Sequence, residues 1–374
     1  MLQFTTLEDV SGWFKEAGPD YDTVFSSRVR LSRNLTNHVF PGTLTAEEEE
    51  KVQEEISRGF SKLPEWRFAC ASLSELKPLE RRMLFERNLI SQDYSLNGGR
   101  AFFYDRKTNI TGTINEVDHL RMAGIHGGLS LKKTYREVNS LDTALEKELD
   151  FAVSMDWGYI NSEVPNIGTG LRASVMVHLP ALIETDIIEK AFKSVMQLGF
   201  SIKGFLGNDD ALSEDGTLSA RSQAASSLGN IYQISNQLGA GLSEEEILEK
   251  LEVLVTKIVE SERKARQEMV EKRGVELEDS IFRAYGILTN CRTIGSKEAI
   301  ELLLSFRLGV ALDWFKVPME TVTALLFLTQ KSHIQQLIGS SDIATDTKLV
   351  DYTRAQFIQK ALGSAERAVS SGGY

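Results

Sequence analysis

Arginines in unusual settings are the residues of this chain best placed to do chemistry. In Ser26-Ser27-Arg28-Val29-Arg30 an extended backbone puts Arg28 and Arg30 on one face, because side chains alternate along a strand. Two guanidinium forks that close repel each other, so the arrangement is comfortable only when solvated or when facing an anion such as a polyphosphate. Arg172 interrupts an apolar run that continues as Val175-Met176-Val177, and a charge set in such a strand needs a partner, protein or ligand. Gly168 and Gly170 before it would let backbone approach a ligand closely, although a lone Gly-Thr-Gly is a weak signal. Asn115-Glu116-Val117-Asp118-His119-Leu120-Arg121 packs two acids, an imidazole and a guanidinium into seven residues. Read as a strand, it shows Glu116 and Asp118 on one face and His119 and Arg121 on the other, either as a salt-bridged surface strand or as part of a site.

Common signatures are missing: there is no GxxxxGK[ST], HExxH, GxSxG or paired CxxC, and no GxGxxG between strand and helix. The 42 Lys+Arg against 53 Asp+Glu leave a net charge of −11, which argues against nucleic-acid or anionic-membrane binding, so a phosphate site must be a local cluster. Two cysteines, Cys70 and Cys291, are too few for a disulfide framework or a four-thiolate zinc site and suit a reducing compartment. The opening MLQFTTLEDV has neither a basic nor an apolar leader region, and no apolar run is long enough to span a membrane. A cytoplasmic protein is expected.

The 374 residues suffice for about two domains at ~150 residues each. Helical spacing dominates the first ninety residues: Thr45 with Glu48 forms a capping box, and a second helix is expected over Leu73 to Ile90. From Asn97 the texture changes to a hairpin pattern around the turn Asp105 to Asn109, which places a domain boundary near 91 to 97. GLRASVMVHLPAL, FSIKGFL and GNIYQISNQ read as strands, the last two separated by some twenty polar residues, a length that is usually functional or disordered. Ser243 with Glu246 caps a helix with an apolar stripe from Ile247 to Ile258, and helical patterns follow at 296–308 and 319–338.

SSRVRLSRNL, NEVDHLR, NIGTGLRASVMVHLPAL, GNIYQISNQ and SKEAIELLLSFRLGVAL, in that order, resemble the phosphagen (guanidino) kinase family in its bacterial protein-arginine-kinase branch. The resemblance spans roughly residues 20–360 and implies an α+β fold. A small helical N-terminal domain (1–92) would precede a larger domain (93–374) with an antiparallel sheet flanked by helices, ATP lying in the cleft between them. It also implies that Arg28, Arg30, Arg121, Arg172 and Lys203 clamp the nucleotide phosphates, with Ser26, Ser27, Ala173, Ser174 and Gly204 beside them. Asn88 stands where the family motif EKHLIS has a phosphate-contacting histidine. Glu116 and Asp118 would lie near Mg²⁺ through water, since that ion keeps several waters.

Against the family pattern, the second glutamate of Asn-Glu-Glu-Asp-His is Val117, the glutamate of the closing loop is Asn208, and its phosphate-binding arginine is Lys203, which keeps the charge and loses the fork. The active-site cysteine falls at Glu163 or Val164. Glu163, or the acids Asp209, Asp210, Glu214 and Asp215 of the enlarged loop 207–228, could stand in as a carboxylate. The family's RDxxRA phosphoarginine motif lacks its leading arginine, which is Val350 here, and its Asp351 and Arg354 are spaced to pair on a helix. Two roles are therefore expected: a slow protein-arginine phosphotransferase, or a nucleotide-binding regulator without turnover. Activator proteins, transcription repressors and protease-chaperone components are partners that the resemblance implies, and a homodimer is a further expectation.

Overall fold

The computed structural model describes Trp13 and residues 16–87, 89–90, 99–105, 108–185, 187–204, 228–339, 346–363 and 366–367. Its centre is an eight-stranded sheet in the order β2-β3-β4-β5-β1-β8-β10-β9, with every neighbouring pair antiparallel. The strands are β1 (Val24–Arg33), β2 (Phe68–Ser72), β3 (Ala101–Asp105), β4 (Ile110–Ile114), β5 (Leu120–Gly127), β8 (Leu171–His178), β9 (Phe200–Gly204) and β10 (Ile231–Asn236). Two short ribbons complete the β structure, β6 (Val153–Ser154) with β7 (Gly158–Tyr159) and β11 (Phe315–Lys316) with β12 (Glu366–Arg367).

Alternation decides what each face of the sheet carries. Val29 and Leu31 of β1, Met122 of β5, Ala173 and Val175 of β8, and Ile234 of β10 are all buried on one face. Helix α3 (Leu131–Leu145) and the first half of α6 (Glu244–Asn290) cover that face. Gly124 of β5 marks how tightly α3 sits, since a Cβ there would stand 2.8 Å from a methyl of Val138. On α6 the stripe Ile247, Leu248, Leu251, Leu254, Val255 and Ile258 is buried as its spacing requires, below a complete Ser243/Glu246 capping box.

The remaining helices are α1 (Ala46–Ser61), with the Thr45/Glu48 box in place, α2 (Pro78–Glu86), α4 (Pro180–Glu184), α5 (Ile188–Gln197), α7 (Ser296–Ala311), α8 (Met319–Leu328), α9 (Lys331–Ile338) and α10 (Thr347–Leu362). The pattern at 319–338 is two helices, because Gln330 adopts extended backbone (ψ 157) as the N-cap of α9. The first ninety residues are less helical than their spacing suggests: β1 lies in the middle of the sheet and β2 at its edge. The expected 92/93 division falls among residues outside the described set, and the sheet runs across it. Among the described residues no helix is long and apolar enough to cross a membrane.

The exit of β1 is pinned by a buried ion pair. Arg33 Nη2 meets Asp142 Oδ2 of α3 at 2.6 Å, Nη1 donates to the Ser32 and Thr169 carbonyls, and the guanidinium lies 3.5 Å over the Tyr159 ring. Removing one partner of such a pair strands a buried charge, at a cost of about 3–5 kcal/mol. Asp142→Ala should therefore lower the unfolding free energy from chemical denaturation by an amount of that order, and a change below about 1 kcal/mol would show that Arg33 is solvated instead.

Candidate active site

The second face of the sheet carries the cations. Arg28 of β1 stands opposite Ile125 of β5 and Ser174 of β8, while Arg30 stands opposite Ala123 and Arg172. Arg121 of β5 is opposite Ser32, one alternation further along the same face. Three adjacent strands at ~4.8 Å spacing thus gather four guanidinium groups from chain segments far apart in sequence. Lys203 lies on the same face, opposite Gln233, but on edge strand β9, two strands beyond β8, and it is exposed.

A cavity of about 150 Å³ opens over this patch, lined among others by Arg28, Arg30, Thr113, Glu116, Arg121 and Leu89. Arg121 Nη1 pairs with Glu116 Oε2 at 2.6 Å, and Thr113 Oγ1 donates to the same oxygen at 2.7 Å. Arg172 Nη2 donates to Ser235 Oγ at 3.2 Å. Arg30 Nε is buried without a hydrogen-bond partner. Burial first, then the Arg121 charge, pull Arg28 down to about 10, with Glu116 opposing. Arg30 is pulled further, by burial and then by Arg121, Arg28 and Arg172. Arg172 is lowered chiefly by burial, opposed by Glu163. The cluster holds more positive than negative charge in a partly buried pocket. An added polyanion relieves that repulsion, and paired forks match phosphate oxygens.

The other expected residues divide clearly. Ser26 and Ser174 sit on the arginine face, both buried. Ser27 and Ala173 do not, because alternation turns them to the helix side: Ser27 Oγ donates to the Gly128 carbonyl at 2.8 Å and accepts from the Ser130 amide. Gly204 ends β9 opposite Tyr232. Asn88, Asn208 and, apart from Leu228, the enlarged loop lie outside the described residues.

The strand reading of residues 115–119 gives way to a loop between β4 and β5. Asn115 has a φ of 60°, its amide bonds the His119 carbonyl, and its side chain donates to the Glu49 and Gly99 carbonyls. The turn separates the two acids. Glu116 reaches the cavity, whereas Asp118 is fully buried, with Oδ1 accepting from Asn34 Nδ2 (2.9 Å) and the Ser162 amide (2.8 Å). Asp118 is thereby held within the fold through Oδ1, while its Oδ2 is buried without a hydrogen-bond partner. Val117, half-buried beside Glu116, offers no charge. Among the described residues no group of three or more His, Cys, Asp or Glu could hold a metal ion.

Ser162 leads to Glu163, exposed at the start of the 3₁₀ turn Val164–Asn166, its Oε2 accepting from Asn166 Nδ2 at 3.1 Å. The glycines of Gly168-Thr169-Gly170 serve packing and not a ligand. A Cβ on Gly168 would meet the Gly239 carbonyl at 2.7 Å, and one on Gly170 would meet Arg33 Nη1 at 2.5 Å. The phosphoarginine-motif remnant is held within the fold. Arg354 of α10 is 1% exposed and donates to Asp351 (2.5 Å), as its spacing anticipates, and to the carbonyls of Ile294 and Thr329. Sequence reasoning missed Arg87, which lines a second, smaller cavity with Arg28, Ser26 and Ser174. Its signal was present in ERNLIS, one residue before the asparagine that drew attention.

A sheet that lays converging arginines beside an open pocket is built to receive a polyanion. Residues 49–265 match the model of the ATP:guanido phosphotransferase C-terminal catalytic domain, and 274–372 match that of the protein-arginine kinase McsB C-terminal domain. The chain belongs to the ATP:guanido phosphotransferase family, in its protein-arginine kinase branch. It is 37% identical over 359 residues to a protein-arginine kinase of Bacillus cereus, covering 95% of this chain and 96% of the relative. It is 38% identical over 368 residues to that of Geobacillus thermodenitrificans, covering 97% and 96%. The fold is shared with the substrate-free duplicated taurocyamine kinase of Schistosoma mansoni (TM-score 0.56, 24% identity, 75% of this chain and 41% of that one) and with lombricine kinase (0.52, 21%, 67% and 70%).

His119 anchors the loop from behind. Its Nδ1 accepts from the Leu35 amide at 3.0 Å, so Nε2 carries the proton donated to the Val39 carbonyl. Burial pushes its pKa down to about 4. The unfolded chain takes up this proton below about 6.5 while the folded one refuses it until about 4, so stability falls as pH drops through that window. Denaturation midpoints measured between pH 7 and 4.5 should fall less steeply for His119→Asn than for the parent chain. Equal slopes would show that the ring is already solvated.

Proposed function

We propose that this chain binds MgATP with its phosphates over Arg28, Arg30, Arg121 and Arg172, with Lys203 at the rim, and transfers the γ-phosphoryl group to arginine side chains of proteins at a reduced rate. The observation that carries the reading is the convergence of four guanidinium groups on one face of three neighbouring strands, with Arg28, Arg30 and Arg121 lining one pocket and Arg172 directly across from Arg30. Phosphoryl transfer asks mainly for positioning and charge neutralisation, which such a cluster supplies, and Mg²⁺ arrives bound to the nucleotide. A guanidinium nitrogen of the acceptor forms the new N–P bond as the bond from γ-phosphorus to the bridging oxygen breaks, ADP leaves, and the acceptor gives up one proton. Glu163 is the carboxylate assigned to orient that acceptor, being exposed and close enough to Arg172 for its charge to be felt.

Val117 and Asn208 favour a second reading, in which a nucleotide-binding regulator in the cytoplasm acts through partner proteins without turnover. A lost acid/base group costs ~10²- to 10⁴-fold in rate. Losses at residues acting as a unit do not multiply, so slow chemistry survives some of them. Calorimetry should find MgADP bound, and Arg172→Ala should weaken it at least tenfold. Incubation with MgATP and an arginine-rich protein should yield phosphoarginine below the ~1–100 s⁻¹ of ordinary kinases, and Glu163→Gln should remove what there is. Binding without any phosphoarginine would select the regulator. No MgADP binding at millimolar nucleotide would remove both readings.

A further inference from the structure

We propose that Arg87 is an additional phosphate-binding residue of this site and that Glu86 positions it through the C-terminal helices. The inference rests on the nucleotide reading above and extends it to a residue, and a region of the chain, that the arginine face alone does not include.

Two successive residues at the end of α2 point to different places. Glu86, the last helical residue, reaches the start of α9: its carboxylate accepts from the Ser332 amide at 3.1 Å, from Ser332 Oγ at 2.8 Å and stands 3.2 Å from His333 Nδ1. Ser332 and His333 are both buried, so the contact is sheltered from competing water. Arg87 is the C-cap, its amide bonding back to the carbonyls of Met83 and Phe85, which fixes the direction of its side chain. That side chain is 9% exposed and lines a cavity of about 30 Å³ together with Arg28, Ser26, Ser174 and Gln233.

The lining explains the ligand. Two guanidinium groups, two hydroxyls and a primary amide share the wall with the apolar Trp13, Ile125, Met176 and Phe327, and the donors are the chemistry that receives anionic oxygen. Arg28 lines both this cavity and the larger one beneath Arg30 and Arg121, so the two are neighbouring parts of one cationic surface. Glu86 belongs to the segment matching the catalytic domain, whereas Ser332 and His333 belong to the segment matching the C-terminal domain. The placement of one phosphate cation is thereby tied to the docking of α9 on α2.

The test measures MgADP and adenosine binding by competition calorimetry for the full chain and four variants, with unfolding midpoints recorded alongside. Arg87→Ala should weaken MgADP about tenfold or more and leave adenosine, which has no phosphate, unchanged. Arg87→Lys should recover part of the loss. Glu86→Gln, which touches no nucleotide, should weaken MgADP about threefold or more with adenosine again unmoved, a selectivity that general loosening of the fold would not produce. Should Arg87→Ala fail to fold, Arg87→Lys decides, since a loss of about threefold supports the proposal and an unchanged MgADP affinity overturns it. Arg172→Ala separates the two levels of argument. If it weakens MgADP while the Arg87 variants do not, this inference alone falls; if neither matters, the nucleotide reading falls as well.

Discussion

Guanidinium groups held on neighbouring strands repel one another, and the rest of the molecule has to supply what keeps them there. Arg30 sits directly across from Arg172 and beside Arg28 and Arg121 in a pocket that withdraws much of the water that would screen them. The restraint is the sheet itself. β1 is paired on both sides over most of its length, and its alternate residues Val29 and Leu31 are locked into the core against α3 and α6. A strand anchored by its apolar face cannot rotate its charged face away, so the repulsion remains in the resting protein as readiness for an anion.

The contrast with the other buried arginines sharpens that interpretation. Arg33 is held by Asp142, two carbonyls and the Tyr159 ring. Arg307 donates to the Tyr21 and Asp22 carbonyls and lies 3.9 Å over Phe25. Arg266 meets Glu262 and Asp22, and Glu262 in turn accepts from the amides that open α4. Each of these joins elements and meets protein acceptors, although Arg33 Nε is itself buried without a hydrogen-bond partner. On the arginine face, acceptors are fewer: Glu116 serves Arg121, Ser235 serves Arg172, and Arg30 Nε has none. Both sets are arginines in apolar surroundings, and the difference lies in whether acceptors surround them.

That difference bounds what the sequence could tell. The shared face of Arg28 and Arg30 is legible because period-two alternation needs only an extended backbone, and the capping boxes are legible because they are local. The separation of Glu116 from Asp118 is not, since it turns on one positive φ at Asn115 and on carbonyls supplied from residues 49 and 99. Gly168 and Gly170 look like a ligand cradle until Gly239 and Arg33 are seen to fill the space. Arg354 resembles a ligand-binding remnant until Ile294 and Thr329 are seen to claim it. In each case the missing information is which distant backbone comes alongside, a property of the assembled fold.

The same logic bears on the carboxylate that the chemistry lacks. Val117 occupies a loop held at both ends, by Asn115 through Glu49 and Gly99 and by Asp118 through Asn34 and Ser162, so a neighbouring side chain cannot easily swing in to replace it. The bond from the Ser162 amide to Asp118 has a second effect, because it fixes the chain immediately before Glu163 to that same loop. A carboxylate at 163 is thus positioned by the residue that follows the vacant charge at 117, and its field already reaches Arg172. The loop carrying Val117 and the segment carrying Glu163 are mechanically linked through a single buried aspartate.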